Sequence, residues 1–252
     1  MRNIVDTNKI KITQGTIFSN VNAEDYSSNE VYGLIINARC DLEHGKFRKV
    51  SYLPIVQLDH WMAQDGLTLA RERLEKDYMN SIQQKLVMNG HSANLLTFIE
   101  PDTIKNKLLK DDRNICLTLD KYISMKETKN QMLPSIINAD ITKVLKKVKA
   151  DLLDYKLPGF YFLENIGFTS SSGYVVLLDE IKFLPSKFLI LIKKGFTPDS
   201  NDAGINNVFR EQTFTSMLGT ITSPFIEHLM QQFSQMFIRI GIEEIHNKNL
   251  YL

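Results

Sequence analysis

Two short stretches of the chain hold residues able to do chemistry. In "NARCDLEH" (residues 37–44) Cys40 stands between Arg39 and Asp41, with His44 four positions on. A thiol attacks only as thiolate, so it needs a lowered pKa and a base within reach. Arg39 would favour the thiolate, His44 would serve as base and Asp41 would orient it. The order Cys-Asp-x-x-His matches no recognised protease or transferase spacing. The alternative is a small buried cysteine at a strand end, with Asp41 capping the turn. In "LLDEIKFL" (residues 177–184) Glu180 and Lys182 make an E-x-K triplet. Metal-dependent phosphodiester hydrolysis uses such a pair with a further acid, so that two carboxylates hold Mg²⁺. Glu164, on the preceding strand, is the available acid. On one strand face the same triplet is also an ordinary solvated ion pair.

Three further groups carry weaker signals. Lys143, Lys146 and Lys147, with Lys149, cluster on one predicted helix, and Lys193-Lys194 follow an apolar run. Such charges suit phosphate contacts, which makes nucleic acid a possible partner, but no aromatic residues interleave with them for stacking. A solvated lysine face is the commoner outcome. Cys40, His44, His60 and Cys116 are zinc-ligand types at irregular intervals with no C-x-x-C pair, so neither a metal nor a cofactor is expected. The residues alone leave open whether any catalysis occurs.

The bulk numbers set the frame. The 252 residues are 43% hydrophobic and 23% charged, with a formal net charge of +1. That is an ordinary globular composition with no bulk pull toward polyanions. Two cysteines cannot make a disulfide framework and suit a reducing compartment. The N-terminus lacks an apolar signal core and the longest apolar runs are too short to span a bilayer. A cytoplasmic protein without membrane association is the expectation.

The elements that would position these groups follow from periodicity. "IKITQGTIF" (10–18), Val31–Asn37 and Val50–Leu58 read as strands of an antiparallel meander, with residues 19–30 a loop and "EHGKFRK" a turn. Residues 60–88 read as a helix with Leu67, Ala70, Leu74, Tyr78, Ile82 and Leu86 on one face, stopped by "NGHSAN". Residues 93–135 are mixed. Residues 139–156 read as a second helix, with Asp140 as cap and Pro158-Gly159 as stop. "GFYFLENIG", "GYVVLLDEIKFL" and "KFLILIKKG" read as strands, and residues 198–207 as a loop. In "SPFIEHLMQQFSQMFIRIG" Ser223 would cap a helix, Pro224 open it and Gly241 end it, with Arg239 beside an apolar stripe that reaches Ile240. The Phe and Met content of that stripe suits a core contact with some surface left for a partner. The fold class is therefore α+β: an antiparallel β module interrupted by a helical insertion, with a C-terminal helix. The expected division is 1–59, first part of the β module; 60–158, mostly helical insertion; 159–252, second β part and terminal helix.

"TQGTIF", "VYGLIIN" and "VSYLPIV" together resemble the strand motifs of the PemK/MazF toxin ribonucleases, which implies an SH3-like barrel for the first 58 residues. That family's catalytic arginine falls on Val31 and its catalytic threonine on Val56. Neither residue can hold a phosphate or move a proton, so the resemblance implies the scaffold without the ribonuclease chemistry. Over nearly the whole length, "QGTIF", "NARCDLE", "YLPIV", "FYFLE", "YVVLLDEI" and "SPFIEHLMQQFSQMFIRIGI" resemble a group of uncharacterised bacterial proteins with QGDIF and CDL motifs found near phage-defence genes. The chain departs from that pattern at Asn37, Ala38 and Glu164. The resemblance implies an accessory, sensor or regulatory subunit of a defence or toxin-like system. Such a subunit would bind a protein partner encoded by a neighbouring gene. The alternative is an enzyme using Glu180 and Lys182 on nucleic acid, or one dependent on Cys40.

Overall fold

The computed structural model describes residues 5–6, 11–109, 111–128, 134–166, 172–199 and 208–238. In chain order its elements are β1 (Val5–Asp6), β2 (Thr16–Phe18), β3 (Val31–Ile35), α1 (Arg39–His44), β4 (Lys49–Gln57), α2 (Leu58–Trp61), α3 (Leu67–Met88), α4 (Leu95–Phe98), α5 (Pro101–Lys107), α6 (Arg113–Glu127), α7 (Asn138–Leu153), β5 (Phe160–Leu163), β6 (Tyr174–Leu177), β7 (Lys182–Pro185), α8 (Phe188–Lys194), β8 (Met217–Ile221) and α9 (Phe225–Ile238). They form two compact units, one of residues 1–61 with 152–252 and one of residues 62–151. Ile10, Arg239, Ile240 and Gly241, and most of the expected 198–207 loop, lie outside the described residues.

The first unit is an α+β unit on one antiparallel sheet. Its strand order is β1-β8-β2-β3-β4-β6-β5, with β7 also paired to β4. β8, near the C-terminus, sits between β1 and β2, so the sheet needs both ends of the chain. β4 is its spine. One edge pairs residues 52–56 with β3, and the other takes β7 at residues 49–52 and β6 at residues 55–57. "GYVVLLDEIKFL" is thus two strands rather than the expected single one. Pro54 is the reason. Ile36 N–H donates to the Ser51 carbonyl on the β3 side, so strand alternation turns Pro54 toward the other edge. Proline has no N–H to offer there, and the partner strand breaks at residues 178–181.

Close packing fixes β2 against β3. A Cβ on Gly33 would stand 2.4 Å from the Phe18 ring, which is itself fully buried. The core beneath includes Ile17, Tyr32, Leu34, Leu53, Ile55, Tyr161, Tyr174 and Val176, with Ile226 and Leu229 of α9.

"KFLILIKKG" is helical, not the expected strand. Phe188 and Ile192, four apart, are the buried anchors, Ile190 is 63% exposed, and Gly195 closes the helix at φ 76°. A short apolar run does not distinguish the two states by itself; here the i, i+4 anchoring selects the helix. No strand forms over Lys11–Gln14, and the loop at 19–30 contains a 3₁₀ turn, Glu24–Tyr26, with Tyr26 buried.

The second unit is helical. Ala70, Leu74, Tyr78, Ile82 and Leu86 are the buried stripe of α3. The helix stops at Asn89-Gly90, where the His91 and Gly90 N–H groups return to the Leu86 and Val87 carbonyls. Within the mixed segment 93–135 stands a helix that periodicity passed over, α6. Asp112 caps it by accepting from the Asn114 and Ile115 N–H groups. Asp140 does not cap α7. Its carboxylate instead accepts from the Tyr78 hydroxyl at 2.6 Å and from Lys121 Nζ at 2.7 Å.

Candidate functional site

The stretch around Cys40 is a helix and not a strand corner. Asn37 continues β3 with its side chain, accepting from the Ser51 N–H at 2.6 Å. Six residues then wind into α1. Gly45, at φ 63°, closes it by donating its N–H to the Asp41 carbonyl. Cys40 is exposed, so the expectation of a buried strand-end cysteine is corrected, as is that of a side-chain cap by Asp41. The Cys40 thiol points to Asp41 Oδ1 at 3.8 Å. Arg39, expected to steady a thiolate, pairs with Glu227 of α9 at 2.8 Å. His44 is exposed and makes no hydrogen bond to Cys40 among the described residues. The stretch therefore holds the residue types of a thiol site without the base contact that such a site requires.

The Glu180 triplet is likewise rearranged. Glu180 lies in the turn between β6 and β7, and Lys182 opens β7, so the two are not successive residues of one strand face. Their charged groups are 3.4 Å apart. Burial pushes the Glu180 carboxyl above its ordinary range, Lys182 opposes this, and the nearby Asp179 and Asp25 charges add to it. Burial and the Glu180 charge also hold the Tyr52 hydroxyl in its neutral form. Among the described residues no three His, Cys, Asp or Glu side chains converge where a cation could sit. Glu164, Asp179 and Glu180 therefore do not form a three-carboxylate cluster among the described residues.

Lys143, Lys146 and Lys147 stand exposed on α7, while Ile141, Val144 and Val148 form its buried stripe. No aromatic ring accompanies them. Val31 and Val56 are direct cross-strand partners, and both are fully buried.

The first unit also holds a cleft that the sequence reading did not single out. It has a volume of about 410 Å³. One wall is the turn from Tyr155 to Gly159 with Leu178; the other is Gln232, Gln235 and Met236 of α9. Tyr155 follows the end of α7 with φ 57°, a left-handed conformation costing a non-glycine residue about 1–2 kcal/mol. Ring packing offsets that strain. Tyr155 lies 4.7 Å from Tyr161 and 5.0 Å from His228 between ring centres. Tyr161 Oη and His228 Nδ1 share a hydrogen bond of 2.9 Å. Gly159 keeps the far end narrow: its carbonyl accepts from the Leu178 N–H at 2.8 Å, and Asp179 closes over it.

α9 also presents an apolar edge. Met230, Phe233 and Met236 pack on the core while remaining partly accessible, and Phe237 is 53% exposed with its ring 5.1 Å from Phe233. The sequence carried one signal for this site: a single histidine within the apolar stripe of "SPFIEHLMQQF". Its partner Tyr161 lies 67 positions away, which no local pattern connects.

No protein-family model, curated protein or solved structure matches this chain.

Proposed function

We propose that the protein is a binding subunit, accessory, sensory or regulatory, and that its working surface is the cleft and apolar edge of α9. The observation that carries this reading is the pairing of a preformed cleft with adjoining, partly exposed Phe233, Met236 and Phe237. Concave apolar sites with a few polar groups are the usual form of a binding pocket, and Met-rich helix faces adapt to partner segments. Gln232 and Gln235 supply amide donors at the rim for a partner's backbone carbonyls. Enzymatic readings gain less support: among the described residues Cys40 makes no hydrogen bond to His44, and no three His, Cys, Asp or Glu side chains gather around Glu180 to hold a cation.

The curled antiparallel sheet is read as an SH3-like module whose toxin-type chemistry is replaced by the Val31–Val56 pair. The bacterial defence setting and the neighbouring-gene partner rest on motif resemblance. The test is coexpression with the adjacent gene product. A stable complex is expected from the natural chain and loss of it from Met236→Glu or Phe237→Asp. Monomeric behaviour with no complex would overturn the reading.

A further inference from the structure

Charge is segregated along one part of the sheet. Residues 45–57 contain Lys46, Arg48 and Lys49, and residues 181–198 contain Lys182, Lys187, Lys193 and Lys194; neither segment contains an acidic residue. The whole chain is balanced, 30 basic to 29 acidic, so this separation is local. The β4–β7 ladder joins the two segments, placing Lys49 opposite Pro185 and Ser51 opposite Phe183. Cross-strand partners share a face. Lys49, Ser51, Phe183 and Pro185 therefore point away from buried Val50, Tyr52 and Leu184.

On that outer face Phe183 is 54% exposed, and Lys49 Nζ stands 6.0 Å from its ring centre. Lys182 is committed to Glu180. Among the described residues, Lys46, Arg48 and Lys49 have no acidic partner within ion-pair distance, and neither has Lys187, whose Nζ stands 5.1 Å from the Phe188 ring centre. An added strand is a poor occupant. The polar groups of Val50 and Tyr52 face β7, which turns those of Phe183 and Pro185 outward, and proline donates nothing. Recognition on this face falls to side chains.

We propose that this face binds a single-stranded nucleic acid, with Phe183 stacking on a base, Lys49 beside it meeting a phosphate, and exposed Lys46, Arg48 and Lys187 in the segments flanking β4 and β7 contacting the phosphates on either side. Every base has a π face, so an exposed ring among unpaired cations is a sequence-tolerant platform. A duplex keeps its bases stacked and offers only its phosphates. An acidic peptide would use the cations and leave the ring idle. The residues are separate from the α9 cleft, so the two readings stand or fall independently.

The experiment is fluorescence anisotropy of the full chain with labelled oligothymidylate and oligouridylate of about 12 nucleotides, at about 50 mM salt and above. Saturable binding is expected, weakening with salt at a log–log slope of about −2 to −3 for three or four phosphate contacts. Phe183→Ala is expected to weaken it about tenfold, and Arg48→Glu with Lys49→Glu to abolish it, each with an unchanged melting profile. Lys143→Glu with Lys147→Glu is expected to change nothing. The proposal is overturned by absence of saturable binding or by an unaffected Phe183→Ala variant. Equal competition by oligoglutamate, or loss of binding only in the α7 variant, overturns it as well.

Discussion

Replacing Tyr161 with Phe isolates one atom of the cleft's support. Tyr161 is 1% exposed, so the ring keeps its packing against Tyr155 and His228 and only the hydroxyl is lost. That hydroxyl shares the 2.9 Å hydrogen bond with His228 Nδ1. A net intramolecular hydrogen bond is worth about 0.5–1.5 kcal/mol, and a partner left dry and unpaired raises the cost to about 1–3 kcal/mol. His228 is half-buried, so water reaches part of its ring and the lower figure applies, about 1 kcal/mol. For a unit of this size that is a fall in melting temperature of about 2–4 °C. The chain's single tryptophan, Trp61, is fully buried in the sheet-bearing unit, so its fluorescence follows that unit's unfolding. The cycle of Tyr161→Phe, His228→Ala and the double variant should give a coupling of about 1 kcal/mol. A coupling indistinguishable from zero would refute the assignment. A Tyr161→Phe loss above about 3 kcal/mol would mean that the ring itself had moved.

Further outcomes follow from other contacts. Lys121 first, and then the Tyr78 hydroxyl, hold the Asp140 carboxyl below the usual range. Its contribution is therefore present above the unfolded value of about 3.9 and is lost as pH falls through the lower folded value. Asp140→Asn should cost about 1 kcal/mol at neutral pH, after discounting for partial exposure, and little at about pH 2, as read by far-UV circular dichroism of the helical unit. Gly33→Ala drives a methyl group into the Phe18 ring and should cost about 1–3 kcal/mol by Trp61 fluorescence. Gly45→Ala meets no atom within 4 Å, so its cost is set by φ 63° alone, about 1–2 kcal/mol. Exposed Cys40 should react readily with a thiol reagent. Cys116, half-buried and donating to the Leu109 carbonyl at 3.3 Å, should react far more slowly; equal rates would contradict the packing of α6.

The legible parts of the sequence were those whose structure depends on near neighbours. α3, α7 and α9 were visible as stripes recurring every three or four residues. The mismatches also have local causes. α6 was missed although its stripe, Ile115, Leu119, Tyr122 and Met125, has helical spacing. α8 was misread because five successive apolar residues carry no period. α9 begins one residue after the expected Pro224, whose carbonyl accepts from the His228 N–H.

The candidate site was legible only in fragments. Cys40, Asp41 and His44 lie within one helical turn, yet their spacing says nothing of Glu227, 188 positions from Arg39, which holds that arginine's charge.

By itself the sequence determined the mixture of strands and helices, the helical stripes, and the apolar character of Val31 and Val56. Each depends on residue type and short-range period. Only the tertiary structure decided that β8 enters between β1 and β2, that Pro54 splits one strand into two, and that Tyr155, at the wall of a cleft, packs on Tyr161 and His228. Those outcomes arise from pairings between distant residues, whose free energy exists only once the chain has closed on itself.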